Sequence, residues 1–428
     1  MHKETRPKRP LRTELTPLFK RGGEWLQRIV ESDDSAARRP DLAEMLLSDA
    51  VQARVSDIHL EPTQGGARVR FRIDGAMWDA QELAPEEYKV VVNQFKAMAN
   101  LDPIVRFTPR DAHAFCSLAT GKADMRIAIA PAMGGELMTV RLLDHQRLER
   151  NIRDLGLSDA NLSLLNEWLE ETNGMFLSSG PTGSGKTTTL YALLHELKHH
   201  DRCVITLEDP VEYNISGVSQ IQVDQLHQLS FGEGIKAILR HDPDLLMMGE
   251  IRDRATAHAG VDAALSGRVM LSTVHSRDAV GVVTALRNWG LADHEIAESL
   301  TVVVSQRLVR RICGNCKHES APTKEELDWS RRRKLPEPRR VWKAKGCAKC
   351  HNLGYYGRIG VFEFWRLDAE DYHAILSHTA EYRIRQMLEA KGHSTILKDA
   401  HDKAMAGVTT LAEARAIGVG PSGYEPES

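Results

Sequence analysis

Gly180-Pro181-Thr182-Gly183-Ser184-Gly185-Lys186-Thr187 is the stretch that decides the fold class of this chain. It fits G-x-x-x-x-G-K-[ST], follows the apolar run Met175-Phe176-Leu177 and precedes the helix-like run Thr188-Thr189-Leu190-Tyr191-Ala192-Leu193-Leu194. Strand, glycine-rich loop and helix in that order are what a phosphate-cradling loop needs. The glycines let backbone N–H groups come close to phosphate oxygens, and the helix start adds positive potential. In such a loop Lys186 reaches the β- and γ-phosphates and the Thr187 hydroxyl holds Mg²⁺. Gly180, Pro181, Thr182, Gly183, Ser184, Gly185, Lys186, Thr187 and Thr188 are therefore the expected nucleotide-binding residues. A chance glycine-rich turn is the competing reading, and it leaves the flanking strand and helix patterns unexplained.

The chain has 428 residues, long enough for two or three cores, and its 56 Lys and Arg against 59 Asp and Glu give a net charge of −3. That balance offers no global basicity for nucleic acid. No apolar run reaches spanning length and no signal-peptide pattern opens the chain, so a cytoplasmic location is expected, with any membrane association through partners. Residues 1–40 read as a charged, proline-containing tail and linker. From Asp41, a plausible N-cap, to Val55 the apolar spacing is helical. In Arg68-Val69-Arg70-Phe71-Arg72-Ile73 apolar and Arg residues alternate, which predicts a strand with one buried face and one face of arginines. Asp124–Ile129 alternates as well, and Tyr88–Ala99 reads as a helix between the two. These pieces predict a small α+β domain over 41–144, then a polar hinge over 145–158.

The region 159–428 reads as an α/β core. Met175–Leu177, Val204–Leu207, Leu245–Met248 and Val269–Val274 are near-continuous apolar runs, as expected of parallel strands covered on both faces. Ligands of such sheets bind beyond the carboxyl ends of the strands. Here those ends carry the glycine-rich loop, Glu208-Asp209, Glu250 and His275. One such group is ordinarily a solvated strand end, whereas four in succession point to nucleotide chemistry. Glu250 is the candidate for polarising an attacking water. Glu208 and Asp209 are candidates for holding Mg²⁺ through water or sharing that role, and His275 for sensing the γ-phosphate. The stretch from Asp368 to Ile417 reads as mostly helical, and 418–428 as a frayed end.

Taken together, these motifs resemble those of the type II secretion and type IV pilus assembly ATPases. Ile205-Thr206-Leu207-Glu208-Asp209-Pro210-Val211-Glu212-Tyr213 is similar to the family's Asp box. Ile238-Leu239-Arg240-His241-Asp242-Pro243-Asp244 through Gly249-Glu250-Ile251-Arg252-Asp253 resembles its Walker B region, and Ser272-Thr273-Val274-His275 its His box. Ser56-Asp57-Ile58-His59-Leu60-Glu61-Pro62 and Arg70-Phe71-Arg72-Ile73-Asp74-Gly75 match its amino-terminal domain. The resemblance implies a RecA-like P-loop NTPase core with a smaller PAS-like α+β domain, ATP as substrate and a homohexameric ring. It also implies that Arg126 is one of the arginines that neutralise charge in the transition state. The second such arginine usually ends a Pro-Gln-Asp-Gly-Arg run; here Pro109-Arg110-Asp111-Ala112-His113 puts His113 in its place, with Arg110 nearby. Imidazole lacks the fixed charge and planar fork of guanidinium. Ser266-Gly267-Arg268 and His275-Ser276-Arg277 also depart from the family pattern.

Cys313-Gly314-Asn315-Cys316 and Cys347-Ala348-Lys349-Cys350 supply four thiolates from two equal knuckles, a set suited to tetrahedral Zn²⁺. The loop between them offers little of its own to pack, so metal would staple an insertion over 313–350. His351 completes a C-x-x-C-H match, yet covalent haem attachment requires export. Cys116 and Cys203 read as small buried hydrophobes. A tetracysteine insertion is a mark of the family's assembly ATPases. The expected function is thus ATP-driven pilus assembly or type II-like secretion through an inner-membrane platform protein, with a further inner-membrane docking protein as a possible partner. The short region before the matched domain leans toward a pilus system. Two rivals are a DNA-translocating RecA-like ATPase, for which the charge offers no support, and an ATP-binding ring with little hydrolysis.

Overall fold

The computed structural model describes residues 42–105, 108–118, 121–143, 150–198, 201–223 and 229–417. The tail over 1–40, the Asp41 cap, residues 145–149 of the hinge and the frayed end over 418–428 lie outside the described residues. The described residues up to 143, with Lys345–Tyr356, form one compact unit, and the remainder forms a second.

The first unit opens with helix α1 (Leu42–Gln52), which stops short of the Val55 read from sequence because Val55 starts strand β1 (Val55–Thr63). Strands β2 (Gly66–Ile73) and β3 (Ala76–Leu83), helix α2 (Pro85–Met98) and strands β4 (Arg110–Leu118), β5 (Gly121–Ala132) and β6 (Gly135–Leu143) follow. The sheet order is β3-β2-β1-β6-β5-β4, and every neighbouring pair is antiparallel. Asp74 and Gly75, both at positive φ, make the two-residue β2–β3 turn, a place where Asp-Gly is favoured. Alternation does what the sequence implied: Val69, Phe71 and Ile73 are buried with Leu46, Leu47, Val91 and Phe95 from the helices. Two of the β2 arginines meet carboxylates of β1, Arg70 with Glu61 at 2.5 Å and Arg72 with Asp57 at 3.6 Å.

The second unit contains α3 (Asp159–Leu169), β7 (Gly174–Ser179), α4 (Lys186–Leu197), β8 (Val204–Glu208), β9 (Ser219–Gln222), α5 (Phe231–Ile238), β10 (Leu245–Ile251), α6 (Arg254–Leu265), β11 (Val269–Val274), α7 (Val280–Asn288), α8 (Asp293–Ser299) and β12 (Leu300–Ile312). Then come β13 (Lys317–Ser320), α9 (Lys324–Arg332), β14 (Val341–Ala344), β15 (Tyr355–Arg366, which begins at the edge of the first unit), α10 (Ala369–Leu376), α11 (Glu381–Ala390), α12 (Ile396–Met405) and α13 (Leu411–Ala416). The main sheet has the order β15-β12-β7-β11-β10-β8-β9, and the pairs from β12 to β9 are all parallel. Its central strands feed two cores by period-two alternation. Leu177, Leu246, Met248 and Met270 pack on one face with Phe231, Ile235 and Val261. Phe176, Leu245, Met247 and Leu271 pack on the other with Trp168, Leu190 and Leu193.

The insertion packs better than its sequence promised. β13 and β14 pair antiparallel, and Trp329 and Val341 are buried with Ile396, Ala400 and Ala404 of α12. The Trp342 indole N–H donates to the Met405 carbonyl at 3.2 Å, and Lys317 Nζ donates to that of Gly407 at 2.9 Å. A second correction concerns Cys203: it is exposed, just before β8, while Cys116 is buried as expected.

A buried ion pair offers a stability test in the first unit. Lys96 is fully buried, and its ammonium lies 2.6 Å from Glu136, whose backbone is held by the Tyr88 hydroxyl. Glu136→Ala leaves an uncompensated buried charge and is expected to cost about 3–5 kcal/mol, whereas Lys96→Met with Glu136→Leu recovers most of it. Urea denaturation of both variants checks this; equal losses would mean the pair is not what matters there.

Candidate nucleotide site and metal centre

The parallel register sets the carboxyl ends of β7, β11, β10 and β8 side by side. Ser179 pairs with Val274, Ile251 with Val274, and Met248 with Leu207. The glycine-rich loop therefore leaves the sheet next to His275, and Glu250 lies on the adjoining strand. The loop joins β7 directly to α4, whose N-cap is Gly185 at φ +91. Gly180 is required by its neighbours as well as its φ of +146, since a Cβ there would sit 2.5 Å from the Gln306 carbonyl. Pro181, Thr182, Gly183 and Thr187 are exposed, Lys186 and Thr188 are half-buried, and Ser184 is buried.

Lys186 Nζ donates to the carbonyls of Gly180 at 2.9 Å and Pro181 at 3.2 Å. Burial lowers its pKa, the Glu250 carboxylate raises it, and Arg307 lowers it further. Glu250 does not simply terminate β10; it lies in a local irregularity where Met248 and Ile251 on β10 face Ser272 and Val274 on β11. An extra residue of this kind re-aims a side chain beside a site. The Thr273 hydroxyl donates to the Gly249 carbonyl at 2.8 Å and so fixes the irregular segment. Arg252 donates to Glu250 Oε1 at 3.0 Å, and His275 Nε2 lies 3.9 Å from Oε2. His275 is half exposed rather than part of the core.

Glu208 is placed differently. It is the last residue of β8, buried, and accepts hydrogen bonds from Thr206 at 2.7 Å, Gln220 at 3.1 Å and the Tyr191 hydroxyl. Burial, followed by that bond, pushes the Tyr191 phenol far above its usual range. Glu208 is thus a braced carboxylate at the base of the site, and Asp209, preceding a cis proline, is the exposed member of the pair.

Three residues that sequence reasoning missed tie together the elements around the loop. Gln306 of β12 is buried; its Oε1 accepts from Ser178 at 3.1 Å and Thr189 at 2.8 Å, and its Nε2 donates to the Ser184 carbonyl at 2.8 Å. One amide thereby clamps β7, the loop and α4. Arg307 follows it, and Thr273 is the third. Apart from the Arg307 bond to the neighbouring Gln306 carbonyl, their partners lie 24 or more residues away, so no local pattern discloses them.

In the first unit Arg126 of β5 pairs in register with His113 of β4. His113 Nε2 lies 2.6 Å from Asp124 Oδ1, and its ring packs edge-on against Phe115. The imidazole is therefore engaged within its own sheet.

Cys313 and Cys316 follow β12, Cys347 and Cys350 precede β15, and the four Sγ atoms lie within 4.8 Å of one another. Cys347 and Cys350 Sγ are 3.7 Å apart. Four sulfurs about 2.3 Å from a tetrahedral Zn²⁺ stand roughly 3.8 Å from one another, so this spacing fits the ion. The backbone N–H groups of Cys347 and Gly354 each donate to Cys350 Sγ at 3.3 Å, as suits a sulfur carrying negative charge. The cluster is compatible with zinc.

No helix among the described residues is long and apolar enough to cross a membrane. Residues 31–416 match the family described as "Type II/IV secretion system protein". The chain is 35% identical over 386 residues to the type II secretion system protein E of Aeromonas hydrophila, covering 90% of this chain and 76% of that one. It is 36% identical over 399 residues to the type IV pilus assembly ATPase PilB of Myxococcus xanthus, covering 90% and 69%. Among solved structures, the Legionella pneumophila ATPase DotB superposes with a TM-score of 0.64 at 19% identity, over 90% of this chain and 97% of that one. The pilus retraction motor PilT with bound ADP gives 0.58 at 20%, over 88% and 96%. The structural likenesses establish the RecA-like fold. With the sequence matches, they place this chain in the type II/IV secretion system protein family, the P-loop ATPases of secretion and pilus assembly.

Proposed function

We propose that this chain is a motor ATPase that works as a homohexamer in the cytoplasm, at the inner membrane through partners, and powers type IV pilus assembly or type II-like secretion through a platform protein. The observation that carries the catalytic part is the convergence of Lys186, Glu250 and His275 at one edge of the parallel sheet. Lys186 binds the β- and γ-phosphates, and the glycine-rich loop from Gly180 to Thr188 supplies N–H donors. Thr187 would hold Mg²⁺, with Asp209 within the same strand-end row. Bound Mg²⁺ neutralises charge on the transferred phosphoryl group. Glu250 orients the attacking water and takes its proton, and His275, close to Glu250, reports whether the γ-phosphate is present. Glu208 acts by ordering Tyr191 and the β8 end. Arg126 is assigned the charge-compensating guanidinium that the family resemblance implies. His113, engaged by Asp124, does not take the role of the second arginine. Cys313, Cys316, Cys347 and Cys350 hold Zn²⁺, a structural ion that closes the insertion.

The deciding experiment is phosphate release by purified protein, separated by size into monomer and ring. Glu250→Gln is expected to keep nucleotide binding and lose turnover by at least about a hundredfold, because an amide cannot accept the proton. Lys186→Ala is expected to weaken nucleotide binding by at least about tenfold, through loss of charge-assisted bonds. Unchanged turnover in either variant removes the site assignment.

The metal reading has its own check. Elemental analysis should find about one zinc per chain, and Cys313→Ser should release it and lower the thermal midpoint. Wild-type protein without metal at equal stability would leave the four thiols without this role.

A further inference from the structure

Arg307 stands directly behind the first glycine of the phosphate loop. A Cβ built on Gly180 would come within 3.1 Å of its Nη1. That nitrogen donates to the Gln306 carbonyl at 2.9 Å, and Nη2 donates to the Arg277 carbonyl at 2.8 Å, two residues past His275. The planar guanidinium thus spans from the strand that clamps the loop to the segment that carries His275.

The far side of that segment is anchored as well. Asp278 accepts from Arg385 at 2.7 Å and, through Oδ1, from the Gly281 N–H at 2.8 Å. The Ala279 N–H donates to the half-buried carboxyl of Glu363 at 3.3 Å. Residues 276–281 are therefore fixed by α11 and β15 behind and by Arg307 in front. The strand before His275 also meets the loop directly, since the Gly180 N–H donates to the Val274 carbonyl at 3.4 Å. Arg307 is the side chain that ties the backbone of the loop's clamp, Gln306, to residue 277, past His275. A guanidinium suits this place because its fork offers donors to two carbonyls at once, which the single ammonium of lysine does not match in geometry.

We propose that Arg307 is a positioning residue that couples the phosphate loop to the His275 segment, so that a nucleotide held by Gly180–Thr188 is felt at residues 275–281. This inference rests on the nucleotide site proposed above. It assigns no contact between Arg307 and the nucleotide; the residue acts through the backbone on either side of it. A chain lacking the coupling would still bind nucleotide but would hydrolyse it poorly, because His275 would no longer be held beside Glu250.

The test is amide hydrogen exchange of segments 180–187 and 275–281, with and without Mg²⁺ and a non-hydrolysable ATP analogue. Wild-type protein, Arg307→Gln, Arg307→Lys and Lys186→Ala are compared. In wild type, nucleotide should slow exchange in both segments. In Arg307→Gln it should slow the first and leave the second unchanged, with ADP affinity within about twofold of wild type, KM little altered and kcat down about tenfold. Arg307→Lys keeps the charge but not the fork and should behave like Arg307→Gln. Protection of 275–281 in Arg307→Gln equal to wild type overturns the coupling. Full recovery by lysine overturns the two-pronged positioning, and parallel loss of ADP affinity makes Arg307 a phosphate binder instead. If nucleotide protects neither segment in wild type, or if Lys186→Ala binds nucleotide normally, the nucleotide site itself is wrong, an outcome distinct from failure of Arg307 alone.

Discussion

The parallel register of β7, β11, β10 and β8 is the constraint on which the candidate site depends. Parallel strands point all their carboxyl ends the same way, and the loops that follow them must emerge along one edge. The order β7-β11-β10-β8 then sets the glycine-rich loop, His275, Glu250 and Glu208 in a row. Period-two alternation keeps that row in place. Each central strand sends residues into two separate apolar cores, and a slip of one residue would exchange the two sets. Packing thus fixes the longitudinal position of Glu250 relative to Lys186 without any direct bond between them.

A buried loop junction also has polar groups to satisfy, and the way this is done explains the residues around it. Unpaired buried donors and acceptors are costly. Gln306 resolves three of them with one amide, and Tyr191 resolves two with one hydroxyl, donating to Glu208 and accepting from the Glu212 N–H at 3.2 Å. The result is a site whose outer lip is open and whose floor is tied. The lip holds the exposed Pro181, Thr182, Gly183 and Thr187; the floor holds Ser178, Ser184, Thr189 and Glu208. Such a division suits a loop that receives a charged ligand, since a rigid floor makes little reorganisation necessary on binding.

How much of this was legible in the sequence follows from the range of each interaction. The loop, its strand and its helix are consecutive, and the apolar runs of the core strands announce themselves locally. Strand β4 does not: of its nine residues only Ala114 and Cys116 are buried, and small side chains give a weak periodic signal. β12 was missed although it supplies Gln306 and Arg307, because only its first half reads as an apolar run. The Gln306 contacts to Ser178, Thr189 and Ser184 span 128, 117 and 122 residues, a separation at which no spacing rule operates. The exposure of Cys203 has a similar origin. It stands just before β8, where its backbone N–H donates to Asp244, and the apolar character of the run that follows does not extend to it.

The insertion shows why a motif can be read correctly for an incomplete reason. From sequence, two knuckles around a charged, proline-containing loop leave metal as the main source of order. The fold supplies more: the β13–β14 pair turns Val341 inward, α9 turns Trp329 inward, and both meet α12 near the carboxyl end of the chain. Gly407 is part of that seat, since a Cβ on it would lie 2.6 Å from the Trp342 ring. Packing fixes the middle of the insertion, while the cysteine cluster brings its two ends together, with Cys313 and Cys350 buried. A tetrahedral ion is well suited to such an end, because it fixes two turns against each other with four short bonds and needs no area for a hydrophobic core.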